Sequence, residues 1–243
     1  MTSNLSMAIR KKAVELGYEK CGIIKVSAMQ RYGEKLREHI KRVPEAAPAY
    51  QRFFDFADPS KNYEWAKSIV VCVRRYGKYK IPDHLRGLIA KYYLVDSRRD
   101  EKSPDYQNSI LFEKYLNDQG LHTATTRDFG ITALRWAALE AGLGTIRRNN
   151  FFYTESGSWC YLEAWLIDRE MELIDKTTLE ECPANCNLCR KHCPTSSLSE
   201  PYTTNMLTCV SYLTTLGGWD LRHETHSEAM GGWVFGCDVC QDV

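Results

Sequence analysis

Seven cysteines crowd into the last quarter of this 243-residue chain, and nothing else in the sequence restricts its architecture as much. They are Cys182, Cys186, Cys189, Cys193, Cys209, Cys237 and Cys240. Three more, Cys21, Cys72 and Cys160, stand alone in apolar runs, where a small buried thiol is the expected reading. The opening MTSNLSMAIRKKAVELGYEK lacks the apolar centre of a secretory signal and has no twin-arginine pair, so it reads as a first helix. No segment approaches the roughly 18 to 20 apolar residues that span a bilayer. The sequence therefore predicts a soluble, cytoplasmic protein, and in a reducing compartment clustered thiols point to metal ligation rather than disulfides. The formal net charge of +1 gives no indication of a nucleic-acid or membrane surface.

The spacing narrows the metal. CPANCNLCRKHCPTSSL reads C-x3-C-x2-C-x3-C-P, one residue longer in its first gap than the bacterial ferredoxin run C-x2-C-x2-C-x3-C-P. Close spacing lets one loop face one 4Fe-4S cluster, while the cysteine before the proline is directed to the neighbouring cluster. Pro194 fixes the turn after Cys193 and disfavours helix there. Under the crossed-ligand rule one cluster takes Cys193, Cys209, Cys237 and Cys240, and the other takes Cys182, Cys186 and Cys189. A fourth ligand for the second cluster is expected just beyond Val243. Zinc in four of the thiolates is the competing reading, because C-x2-C pairs also suit tetrahedral zinc.

Ahead of the cysteines, apolar periodicity suggests an α/β (α+β) domain. A helical period through Leu5, Ile9, Ala13 and Leu16 stops at Gly17 and leads into the strand candidate CGIIKV. SIVVCVRRY reads as a buried strand, residues 109–117 as a helix and HTATT as a short strand. The run 132–141, TALRWAALEA, is rich in helix formers and meets Gly142 at a C-cap position. In WCYLEAWLI, Cys160, Leu162, Ala164 and Leu166 share one face at period two. Apolar runs then give way to cysteine, proline and polar residues, which divides the chain into domains 1–175 and 176–243.

With these segments in view, the chain resembles the epoxyqueuosine reductase family, cobalamin-dependent iron-sulfur enzymes related to reductive dehalogenases. The resemblance covers nearly the whole chain and is most specific in CVSYLT at 209–214 and GCDVCQ at 236–241. AGLG at 141–144 and GSW at 157–159 look like the paired loops bordering the family's cobalamin pocket. The resemblance implies cofactor contacts at Gly142, Leu143, Gly144 and Ser158, and a catalytic aspartate at Asp128. It departs after Asp128, where Ile131, Thr132, Ala133, Leu134 and Arg135 stand in place of the usual Pro-Val-Leu-Glu-Lys, so the chain reads as a divergent member. The implied architecture is a cobalamin-binding-like domain followed by a ferredoxin-like double-cluster module. The implied function is a reductase that passes electrons from an external ferredoxin or flavodoxin through two 4Fe-4S clusters to cobalamin, within queuosine biosynthesis, with tRNA as the partner implied for the substrate.

The same residues have plainer readings. Gly142 and Gly144 can end a helix and turn the chain, or let backbone approach a planar cofactor. Asp128 can cap a helix or donate a proton. Arg147 and Arg148 read as a solvated surface pair, and Tyr92 and Tyr93 as core or pocket wall. The alternative to a reductase is a non-catalytic electron-transfer or corrinoid-handling iron-sulfur protein.

Overall fold

The computed structural model describes residues 4–95, 100–127, 130–216 and 227–243. Its strands are β1 (Lys20–Lys25), β2 (Ser68–Arg75), β3 (Thr123–Ala124), β4 (Thr145–Ile146), β5 (Phe152–Tyr153) and β6 (Cys160–Ile167). The helices ahead of the cysteines are α1 (Asn4–Glu15), α2 (Gln30–Arg42), α3 (Ala47–Gln51), α4 (Lys91–Val95), α5 (Pro104–Asp118) and α6 (Leu134–Glu140). Short helices α7 (Leu188–His192), α8 (Val210–Thr215), α9 (Ser227–Met230) and α10 (Val239–Asp242) follow. No helix among the described residues is long and apolar enough to cross a membrane.

One sheet, ordered β1-β2-β6-β3, organises the first part of the chain, and every pairing in it is antiparallel. Alternating helices and strands would have suited parallel crossovers, so the α+β half of the expectation is the one that describes this domain. Both faces are covered. On one, Ile69, Val71, Val73, Leu162, Ala164 and Leu166 pack with Ala137, Ala138 and Ala141 from α6 and its end. On the other, Val70, Cys72, Trp165 and Ile167 meet Ile9 and Ala13 of α1 and Phe112 and Leu116 of α5. That double cover explains why β2 and β6 read as nearly unbroken apolar runs.

Local chemistry sets the element ends. Gly17 closes α1 at φ +83°, a left-handed turn glycine adopts without strain. Ser103 accepts a hydrogen bond from Tyr106 N–H at 3.1 Å with Pro104 in the first turn, so α5 begins five residues before the helix expected from apolar periodicity. HTATT contributes only Thr123 and Ala124, paired with Ile167 and Leu166 at the sheet edge. Helix α2 was not legible: QRYGEKLREHIKR is mostly charged, and Gly33, Leu36 and His39 alone are buried.

A buried ionic cluster lies between the sheet and the α1/α5 layer. Arg74, its side chain 4% exposed, donates to Leu16 O at 3.1 Å and Asp105 Oδ1 at 3.2 Å, and lies 3.9 Å from Glu163 Oε2. Tyr18 donates to Glu163 at 2.6 Å, and Tyr161 to Asp105 at 2.9 Å. Removing one member leaves the others buried without a counter-charge. Arg74→Ala is expected to lower unfolding stability by about 3–5 kcal/mol in chemical denaturation, far more than loss of an exposed pair such as Arg86–Asp83.

His39 gives a pH dependence. Burial, then the charges of Lys35, Arg135 and Arg42, lower its pKa from 6.5 to about 4. The fold therefore favours the neutral ring: the stabilisation is complete above about pH 6.5 and is lost as pH falls toward 4. Between pH 7 and 5 the wild type should lose about 2 kcal/mol more than His39→Gln, measured by denaturant midpoints in matched buffers.

Candidate iron-sulfur centre and its seam with the sheet domain

The first cysteine loop turns tightly, with Cys186 N–H on Pro183 O at 2.9 Å, and enters α7 at Leu188. Cys193 ends α7 in extended conformation (φ −64°, ψ 114°), as the backbone before a proline favours. Cys209 sits extended at the start of α8, and Cys237 and Cys240 flank the start of α10. Gly236 is at φ +77°, and a Cβ there would come within 2.5 Å of Ala90 and 2.6 Å of the Tyr93 ring. Only glycine lets this backbone lie against the sheet domain.

The thiols act on one another electrostatically. Burial, then repulsion from Cys182 and, more weakly, Cys186, push Cys189 up. Burial pushes Cys237 up to about 12, with further contributions from Cys209, Asp238 and Cys193. Cys240 is pushed up by burial, then by Cys209, Cys237, Cys193 and last Cys189. Helix α7, which carries Cys189, packs against α10, which carries Cys240, so the two ends of the cysteine region meet. Half-buried thiols that disfavour one another as anions suit cationic iron, which would neutralise them.

Several contacts seat this region on the sheet domain. Arg148 donates to Cys186 O at 3.0 Å and Ala184 O at 2.8 Å, so it clamps the first cysteine loop instead of lying in solvent. Arg147 stacks over Tyr153 at 4.7 Å, which also departs from a solvated pair. Asn149 donates to Cys240 O at 2.9 Å and Tyr153 Oη at 2.8 Å. Lys91 N–H donates to Asp238 Oδ2 at 2.7 Å, and Tyr50 to Thr204 O at 2.6 Å. The periodicity of the sequence has no signal for such long-range polar partners.

The other expected site residues are placed as follows. Gly142 follows α6 at φ +68°, and a Cβ there would lie 1.9 Å from Asp175 O. At Gly144 it would lie 2.0 Å from Tyr153 O, and Leu143 between them is fully buried. The side-chain space at both glycines is thus taken by the chain's own carbonyls, which fulfils the turn-and-packing role. Ser158 is buried at the seam and accepts from Gln241 Nε2 at its carbonyl (2.9 Å) and hydroxyl (3.1 Å). Asp128 lies outside the described residues. Tyr92 and Tyr93 are half-buried, with Tyr93 edge-on to Phe235 at 4.4 Å. Trp136 Nε1 and Arg147 Nε are buried without a hydrogen-bond partner, on the segments either side of Ala141–Gly144.

A helix-covered antiparallel sheet followed by a segment with seven free thiols is the arrangement to which an iron-sulfur class of protein corresponds. Residues 181–243 match the family described as 4Fe-4S double cluster binding domain. Over 249 residues the chain is 31% identical to epoxyqueuosine reductase of Atelocyanobacterium thalassa, covering 99% of this chain and 79% of that protein. It is 27% identical to that of Leadbetterella byssophila, over 98% of this chain and 78% of the relative. The fold matches a crystal structure of epoxyqueuosine reductase with an epoxyqueuosine-modified tRNA-Tyr stem loop at TM-score 0.77 and 23% identity, covering 98% of this chain. The chain spans 64% of the length of that solved chain. It belongs to the epoxyqueuosine reductase family.

Arg148→Ala should loosen the first cysteine loop selectively. Two charge-assisted bonds are lost, each worth about 1.5–3 kcal/mol, so iron should leave the reconstituted protein several-fold faster in a ferrous-chelator assay. Arg148→Lys should restore only part of the protection, because a single ammonium does not reproduce the two-carbonyl fork.

Proposed function

We propose that this protein is an iron-sulfur reductase acting on the epoxyqueuosine-modified stem loop of a tRNA, the ligand of its solved relative. Residues 176–243 hold two 4Fe-4S clusters, one on Cys193, Cys209, Cys237 and Cys240 and one on Cys182, Cys186, Cys189 and a further ligand. The observation that carries this reading is the packing of α7, which bears Cys189, against α10, which bears Cys240, inside the segment that matches the 4Fe-4S double cluster binding domain family. Residues 1–175 hold cobalamin. The clusters supply one-electron transfer, and the corrinoid supplies the low-potential cobalt chemistry that amino-acid side chains lack.

The chain's own residues bind, orient and deliver protons. Pro183, Ala184 and Asn185 are exposed around the Cys182–Cys189 loop, which suits electron entry there from an external ferredoxin or flavodoxin. Arg148 fixes that loop, and Asn149 fixes the Cys240 end, against the sheet domain. The buried, unpartnered donors Trp136 Nε1 and Arg147 Nε fit the amide carbonyls at the rim of a corrinoid. Gly142, Leu143, Gly144 and Ser158 contribute backbone to the same wall, with the Cβ sides of the glycines turned to Asp175 and Tyr153. Asp128 acts as the proton donor. A reducing, cytoplasmic compartment suits the exposed cluster loop.

Anaerobic reconstitution followed by cob(II)alamin titration and tRNA turnover tests the reading. Iron, sulfide and two reduced-cluster EPR signals are expected, with Cys209→Ala removing one signal and cob(II)alamin moving to a base-off spectrum. Asp128→Asn should keep clusters and corrinoid yet lose about 100-fold to 10,000-fold in turnover. Zinc in place of iron would overturn the cluster assignment. Clusters with no corrinoid response would reduce the protein to an electron carrier, and corrinoid binding without turnover to a corrinoid-handling one.

A further inference from the structure

After Cys193 and Pro194 the chain reverses within a few residues. Ser196 N–H donates to Cys193 O at 3.2 Å, and Ser196 itself is at φ +55°, in the left-handed region a serine seldom occupies. Asn205 N–H then holds the next carbonyl, Ser197 O, at 2.7 Å. The result is a serine hydroxyl carried underneath the cysteines: Ser197 is 2% exposed, and its Oγ lies 3.5 Å from Cys193 Sγ. A thiolate has no proton to give, so toward iron-bound sulfur the hydroxyl is the donor.

The Thr195 hydroxyl approaches the same sulfur less closely, at 3.8 Å, so Ser197 is the nearer of the two hydroxyls. A donor that favours negative charge on sulfur favours whichever cluster state places more charge there.

We propose that Ser197 is a positioning residue whose hydroxyl donates to Cys193 and raises the reduction potential of the cluster that Cys193 ligates. The proposal rests on the cluster assignment above and adds to it which side chain tunes one of the two clusters. A cluster held there would take one electron from the external donor, and the Ser197 O–H, keeping its proton, would bond the more negative Cys193 sulfur more strongly, which would favour the reduced state of this cluster.

Redox titration of the anaerobically reconstituted protein, followed by EPR, tests this. Ser197→Ala should shift the midpoint of one signal to lower potential and leave the other in place, with iron and sulfide content unchanged. Ser197→Thr, which keeps the hydroxyl, should stay near the wild-type potential. Ser197→Gly should repeat the alanine shift, so that a loading defect peculiar to one variant does not decide the outcome. Resonance Raman should show iron-thiolate stretches moving upward in both hydroxyl-free variants. Unchanged midpoints in fully loaded Ser197→Ala or Ser197→Gly, or equal shifts of both signals, would overturn the proposal and leave the cluster assignment standing. Absence of cluster signals in the wild type would overturn both.

Discussion

Seven half-buried thiols lie in a C-terminal region with little hydrocarbon core, and the rest of the arrangement follows from that lack. Beyond residue 175, only Leu198, Val210, Tyr212 and Leu213 are buried hydrophobics among the described residues. At ~25 cal/mol per Å2, so few side chains cannot hold a chain of this length in one conformation. Metal binding must supply the difference, because ligands disordered in the unfolded chain make binding free energy into folding free energy. The second support is the sheet domain. Asn205 reaches Glu45 at 2.8 Å, Arg52 reaches Tyr212 Oη at 2.9 Å, and Ala90 N–H reaches Phe235 O at 2.8 Å. A region with little core is thus held at its edges by polar contacts to a domain that has a large one.

The sheet domain can serve as that anchor because its two faces differ. The α1/α5 face encloses the Arg74–Glu163–Asp105 cluster, which fixes the register of β2 and β6 through paired charges and hydroxyls. The opposite face is plain hydrocarbon under α6, and it is the end of α6 that leads into Gly142 and the hairpin β4–β5. Polar specificity and the cofactor seam therefore occupy different layers. Changes at the ionic cluster should affect folding before they affect the metal region.

How much of this the sequence discloses depends on whether the signal is local. Helix α1 and strands β2 and β6 are carried by spacing within a few residues, and they were readable. Cys21 and Cys72, expected as buried thiols, are cross-strand partners with 1% and 0% exposure, and Cys160 is pushed up to about 12 by burial. The start of α5 was overlooked because its cap, Ser103-Pro104, precedes the first periodic apolar residue. Arg147 and Arg148 were misread for a different reason. Paired arginines usually face water, and only the fold shows that the carbonyls of Ala184 and Cys186 arrive from 36 and 38 residues away. The glycines of AGLG were legible as turn formers, but not which atoms occupy the space their side chains would fill.

Residues 147–149 join these layers. Arg148 holds the loop of Cys186, Asn149 holds the carbonyl of Cys240, and Arg147 stacks on Tyr153 with its Nε buried and unpartnered. Three consecutive backbone positions thus grip both cysteine groups and present a donor to the proposed corrinoid wall. Their geometry has few independent degrees of freedom: a shift that frees Arg148 also moves Arg147. Because the three positions are consecutive, strain introduced at Arg148 passes along the backbone to the neighbours that hold Cys240 and Tyr153, so the seam responds as one unit.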